Sequence, residues 1–238
     1  MERVLIVSKT RMSSGVCVSG LTRTTSRSIR LIPPNRHNQP IDTKYEIGQV
    51  WEMDFYDVSP TTPPHVEDVI VTNERFVSTV PNIRELFMQR VQPWQGGPQQ
   101  LFDGLLLFGR TGKGYVTRQR GIPGVSTGFW LPEKPLTKIY VEDKLNYCYD
   151  DATHDEYKGQ YLSGERGILF EAQVMPTFFF PKPPEGRRAR YNIPYVGCAE
   201  AIDLIPAGTL VRVSLARWWR PEGMNEERCY LQLSGWYL

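Results

Sequence analysis

Short runs of alternating apolar and polar residues dominate the chain, and helical spacing is rare. Residues 3–8 (RVLIVS) predict a short buried strand, whereas 14–28, rich in Ser, Thr, Gly and Arg, predict a loop. Ser28–Ile32 alternates and then meets Pro33 and Pro34, which end a strand. The cleanest two-residue period runs from Tyr45 to Phe55. It puts Ile47, Gln49, Trp51, Met53 and Phe55 on one face, and Glu46, Val50, Glu52 and Asp54 on the other. Gly48 inside that run predicts a bend or bulge. Val66–Val71 predicts a further strand after the turn-rich Ser59–Pro64. Near 81–92 the period changes: Ile83, Leu86, Phe87 and Arg90 form one stripe at helical spacing, and Pro93 closes it. Pro98–Leu107 fits either a helix or a strand, and 109–128 predicts an exposed loop with strand fragments. Strands are then expected at Leu136–Val141, Gly167–Met175, Phe178–Phe180, Thr209–Trp218 and Glu227–Leu233, the last two paired across the turn-like Pro221–Asn225.

These elements predict a mainly β protein. They fall into two blocks, 1–128 with a helical insert near 81–92, and 129–238, each with about five short strands. Strands this short leave edges that a small closed barrel removes, so two tandem OB-like barrels with few short helices are the expected architecture. No exact sequence repeat links the halves.

Composition agrees: 12% aromatic residues, 19 Pro and 20 Gly among 238 residues suit strands and tight turns. With 40% hydrophobic residues there is material for a real core, which rules out wholesale disorder. No apolar run reaches the roughly 18 residues of a membrane span, and Lys9 and Arg11 cut short the apolar start at Val4–Val7, so a cytoplasmic protein without membrane contact is expected. Cys17, Cys148, Cys198 and Cys229 are far apart, with no pair at zinc-ligand spacing, and read as free thiols.

The net charge of +2 conceals segregation. The first forty residues carry seven basic side chains against Glu2 alone, while 139–157 hold six acidic ones against Lys144; a second basic cluster is formed by Lys182, Arg187, Arg188 and Arg190. Separated charge creates local fields that suit a phosphate-rich partner. No catalytic constellation stands out. Gly109–Gly114 has the flavour of a phosphate loop, but Leu107 stands where the first glycine belongs and Gly114 where a Ser or Thr belongs. His65 and Glu67 would share a strand face, yet no third metal ligand can be assigned, and a structural hydrogen-bonded cluster of His65, Glu67 and Asp68 fits better. A nucleophile at Cys17, Ser13 or Ser14 with His37 lacks an orienting carboxylate. Neither a cofactor nor catalysis is therefore expected.

Several stretches resemble the bacterial family described as the dual OB-containing domain: Val7–Val18, Arg27–Leu31, Tyr45–Trp51, Pro64–Asp68, Val211–Trp219 and Leu233–Tyr237. The resemblance spans nearly the whole chain. It implies two OB barrels in tandem and a role in binding nucleic acid, in defence against foreign genomes. OB barrels bind single strands with aromatic platforms and a cationic groove. On that expectation the contact residues are Arg11, Arg27, Arg30, Lys113, Arg187, Arg188, Arg190, Arg212, Arg217 and Trp219. Alternation places Arg212 on the face opposite Val211 and Val213, hence outward, and of Trp218 and Trp219 one is expected buried and one exposed. The alternative is a protein-interaction or sensor scaffold that partners a separate effector.

Overall fold

The computed structural model describes residues 1–151 and 190–238. The strands expected at 167–175 and 178–180, and the cluster around Arg187 and Arg188, lie outside the described residues.

The first lobe is a closed five-stranded barrel of β1 (Glu2–Arg11), β2 (Val16–Thr22), β3 (Ser28–Ile32), β4 (Gln49–Asp57) and β5 (Asp68–Thr79), in the order β1-β2-β3-β5-β4. Closure comes from β1 pairing with β4, from Glu2 opposite Met53 to Leu5 opposite Val50. All pairings are antiparallel except β3 with β5. Val4, Ile6, Val16, Val18, Ile29, Leu31, Trp51, Met53 and Val69 fill the interior. The alternation read from Trp51 to Phe55 thus gives the barrel wall, and Gly48, at φ 91°, is the corner that starts β4.

Among the described residues the second lobe has ten strands: β6 (Trp94–Gly96), β7 (Leu107–Phe108), β8 (Gly114–Thr117), β9 (Thr127–Pro132), β10 (Leu136–Val141), β11 (Lys144–Asp150), β12 (Arg190–Pro194), β13 (Leu204–Ile205), β14 (Leu210–Leu215) and β15 (Arg228–Tyr237). They form a six-stranded sheet, β6-β9-β14-β15-β8-β7, and a four-stranded one, β12-β11-β10-β13. Trp130, Val211, Val213 and Leu231 from the first pack on Leu136, Tyr147, Tyr149 and Ile193 from the second, giving a half-barrel. The fold class is mainly β, with tandem OB-like lobes. Residues 94–128, assigned to the first block on sequence grounds, instead contribute β6, β7, β8 and the start of β9 to the second lobe's sheet. The basic turn at Gly109–Lys113 is the tip of the β7–β8 hairpin, closed by Gly109 N–H donating to the Lys113 carbonyl at 3.0 Å.

The linking helix α1 (Ile83–Arg90) is capped by Asn82, whose side chain accepts from Glu85 N–H at 3.2 Å while its amide donates back to the Glu85 carboxylate at 3.1 Å. Its buried Phe87 enters a core shared by both lobes, with Leu5, Val7 and Leu21 from the first barrel and Phe129, Leu210 and Tyr237 from the second. Phe87 meets Tyr237 edge-on at 4.7 Å. The Tyr237 hydroxyl donates to the Val7 carbonyl at 2.5 Å. Further links run from Arg11 N–H to the Val196 carbonyl at 2.8 Å and from Cys198 N–H to the Lys9 carbonyl at 3.0 Å. The seam is therefore packed and hydrogen-bonded.

Candidate ligand cleft between the barrels

Two β-bulges shape the seam. In β1 the pairing with β2 steps from Ile6–Gly20 to Ser8–Ser19, so Val7 is the extra residue. A one-residue insertion reverses which side chains face inward beyond it. Val4 and Ile6 point into the first barrel; past the bulge, Ser8 and Thr10 turn toward the second lobe. In β15 the pairing with β14 steps from Leu233–Val213 to Gly235–Arg212, so Ser234 is extra, and its hydroxyl shares a hydrogen bond with Ser214 at 2.8 Å.

The result is a cavity of about 90 Å³ lined mainly by polar residues of both lobes, distinct from the apolar core that the lobes share. The first barrel supplies Ser8, Cys17, Ser19 and Arg30 from its strands, together with His65, Glu67 and Asp68 from the β4–β5 connection and the start of β5. The second supplies Ser126, Thr127, Arg212, Ser214 and Arg217 among others. Met12, in the β1–β2 turn, stands at the rim; that turn needs the left-handed conformation of Gly15, at φ 75°, where a side chain would also collide with the Gln39 carbonyl. This is the β2–β3 face, flanked by the β1–β2 and β4–β5 loops, on which OB barrels bind oligonucleotides and oligosaccharides. Here the other lobe covers it.

Asp68 accepts a bidentate pair from Arg30, both contacts at 2.6 Å, and a third hydrogen bond from Arg217 at 2.7 Å. Glu67 is buried and held by Ser126 N–H at 2.6 Å, the Ser126 hydroxyl at 2.8 Å and Val66 N–H at 3.0 Å. His65 Nε2–H donates to the Leu215 carbonyl at 3.2 Å. Burial and the nearby Arg217 charge push the imidazole's pKa below its ordinary value, so the ring is neutral near pH 7 and Nδ1 is an acceptor.

Arg212 is the unusual member. Only 1% of it is exposed, and it lies under the first barrel. One guanidinium nitrogen, Nη2, donates to the Thr127 hydroxyl at 3.0 Å and the Ser28 hydroxyl at 3.4 Å, and the group sits 4.8 Å over the Phe129 ring. Among the described residues no carboxylate pairs with it and its Nη1 has no hydrogen-bond partner. Burial pushes its pKa down. Three guanidiniums against two carboxylates leave the cavity with a net charge of +1.

The cleft unites three of the ten expected contact residues: Arg30, Arg212 and Arg217. Arg212 does point away from its own barrel's core, as alternation predicts, but the neighbouring barrel buries that face. Arg27 pairs with Asp57 at 2.5 Å, Lys113 with Glu142 at 3.4 Å and Arg190 with Asp150 at 3.0 Å, all outside the cleft lining. Arg11 is exposed at the end of β1, next to the rim. Trp219 is 58% exposed, while its neighbour Trp218 is partly buried against the second core, donating to the Pro63 carbonyl at 2.8 Å. Arg187 and Arg188 fall outside the described residues. Sequence reading passed over the hydroxyls Ser8, Thr10, Ser126, Thr127, Ser214 and Ser234. The available signal was polar residues at strand positions where a core would take apolar ones. Among the described residues no group of three or more His, Cys, Asp or Glu could hold a metal, and no helix is long and apolar enough to cross a membrane.

Fold and cleft together define a two-lobed OB-like β protein with a cavity between its lobes. A model of the family described as the dual OB-containing domain matches residues 2–236, and the chain belongs to that family. No curated protein and no solved structure matches it.

Proposed function

We propose that the protein is a nucleic-acid-binding module without chemistry of its own, and that it engages a single strand at the inter-barrel cleft. The observation that carries this reading is a net cationic, hydroxyl-rich cavity on the face OB barrels use for oligomers. The cavity does not stand alone. Cys17 and Arg30 also line a second hollow with Arg36 and His37, so a backbone leaving the cleft would run over further basic side chains. The exposed ion pairs of Arg27, Lys113 and Arg190 are weak and exchange readily for phosphate contacts, so these residues support the reading only as secondary contacts.

The test is fluorescence anisotropy of labelled single-stranded DNA and RNA 12-mers with the full chain over a salt series. Binding that weakens with salt on a log–log slope of about −0.7 per neutralised phosphate is expected. Arg36→Ala should reduce that slope by roughly one contact. Absence of binding at low salt, or affinity insensitive to salt, overturns the reading and favours the protein-scaffold alternative.

A further inference from the structure

We infer that the inter-barrel cavity is a phosphomonoester pocket, which seats one terminal phosphate rather than the phosphodiesters along a strand; the inference deepens the nucleic-acid reading and shares its site.

Size is the first argument. About 90 Å³ is enough to hold one tetrahedral anion or a few waters. The second argument is the pattern of unmet valences. Two buried side chains that line the cavity each carry a polar nitrogen with no partner among the described residues: Nη1 of Arg212 and Nδ1 of His65. One is a cationic donor. The other is an acceptor, because Nε2–H is committed to the Leu215 carbonyl. A phosphomonoester offers anionic oxygens to the guanidinium and, in its singly protonated form, a P–O–H to the imidazole. A phosphodiester or a sulfate offers acceptors only. Third, a buried guanidinium without a carboxylate is costly to keep, and an anion that binds the folded state is the way such a cost is offset. Asp68 cannot fill that role, since its oxygens are taken by Arg30 and Arg217. The hydroxyls of Ser8, Ser19 and Ser214 complete a donor-rich wall that adds no negative charge.

The experiment compares identical labelled 12-mers ending in 5′-phosphate, 3′-phosphate or hydroxyl, with inorganic phosphate, a nucleoside 5′-monophosphate and sulfate as competitors. At least one phosphorylated end should bind about 10-fold or more tightly than the hydroxyl end, the difference one charge-assisted contact makes. Inorganic phosphate should compete better than sulfate. The mononucleotide arm separates a free nucleotide from a strand end: competition no better than inorganic phosphate assigns the pocket to strand ends, and competition matching the phosphorylated 12-mer assigns it to the mononucleotide. His65→Gln should reduce the preference of phosphate over sulfate while the protein stays folded by circular dichroism. Equal affinity for all three ends, with no competition from phosphate, overturns the pocket and leaves the strand-binding reading standing. Should no 12-mer bind while phosphate alone still raises the melting temperature, the pocket stands and the strand reading fails.

Discussion

Replacing Arg212 by methionine should make the ligand-free protein more stable and remove its response to phosphate. The guanidinium is 1% exposed and has no carboxylate partner among the described residues. Taking an ion out of water costs several kcal/mol even after the protein relaxes. Against this stand two hydrogen bonds to hydroxyls, at 3.0 and 3.4 Å, and the contact with the Phe129 ring at 4.8 Å. Hydrogen bonds from a charged donor contribute about 1.5–3 kcal/mol each at good geometry, the longer one less, and a desolvated cation–π contact about 2 kcal/mol. Exchanging buried charges for apolar side chains of similar volume has stabilised proteins by about 1–4 kcal/mol. The offsets place Arg212→Met at the lower end, about 1–2 kcal/mol. In a chain this long each kcal/mol moves Tm by about 2–4 °C, so a rise of about 2–8 °C is expected. The assay is thermal unfolding in buffer free of phosphate and sulfate, repeated across a phosphate titration. Wild-type Tm should climb with phosphate, by mass action on the folded state, and the variant's should stay flat. A variant that melts several degrees below wild type without anion, yet keeps the climb with phosphate, refutes the argument that this charge is held at a cost for a ligand.

Three further outcomes follow from the same geometry. Arg30→Ala and Asp68→Ala should each destabilise by about 2–4 kcal/mol, and the double variant by at least 1 kcal/mol less than their sum, because each single change leaves a partly buried charge short of its partner; urea unfolding of the four proteins reads this directly. Phe87→Ala should cost about 3–5 kcal/mol, seen as a lower denaturation midpoint, since it opens a cavity in the core the two lobes share. His65, flanked by Arg217, Glu67 and Arg30, is depressed by burial first and the Arg217 charge second, so the unfolded chain takes up its proton at higher pH than the folded one. Its contribution is complete above about pH 6.5 and is lost as pH falls through the lower folded value; urea midpoints at pH 7.5 and 5.5 should diverge less in His65→Gln than in wild type.

Much of the scaffold was legible because its inward positions alternate. Trp51, Met53 and Phe55 announce β4, and Ile83, Leu86 and Phe87 announce α1, each with its apolar side on a core. The strand β2 was missed for a physical reason that matters to function. Its inward Val16 and Val18 alternate with Cys17 and Ser19, and the polar pair faces the cleft rather than open solvent, so the stretch reads like a loop. The division at residue 128 failed differently. Strands β6 to β8 are two to four residues long; β6 pairs with β9, and the β7–β8 hairpin joins the sheet only through β15, distant in sequence, so nothing local marks their lobe. As for the site, charge patterning pointed to Arg30 and the OB resemblance to Arg212 and Arg217, but no periodicity reveals that a strand's outward face is another barrel's lid. The bulges at Val7 and Ser234, which turn hydroxyls into the cavity, leave no trace in composition.

The cleft is a property of the pair of barrels. The first lobe alone would offer Arg30 tied to Asp68 beside the buried Glu67, one guanidinium against two carboxylates, on an open OB face. The second alone would expose Arg212 to water, where its charge is fully solvated and a phosphate gains little from it. Docking the two buries Arg212 beside the Arg30–Asp68 pair and adds Arg217 to the same carboxylate. The dielectric falls where the excess positive charge sits, so the same guanidinium binds an anion more strongly while costing more without one. The apolar half of the seam, centred on Phe87, Phe129 and Tyr237, supplies the packing that keeps this arrangement closed. Anion affinity and lobe packing are thus linked: loosening the aromatic cluster should weaken phosphate binding although none of its rings lines the cavity.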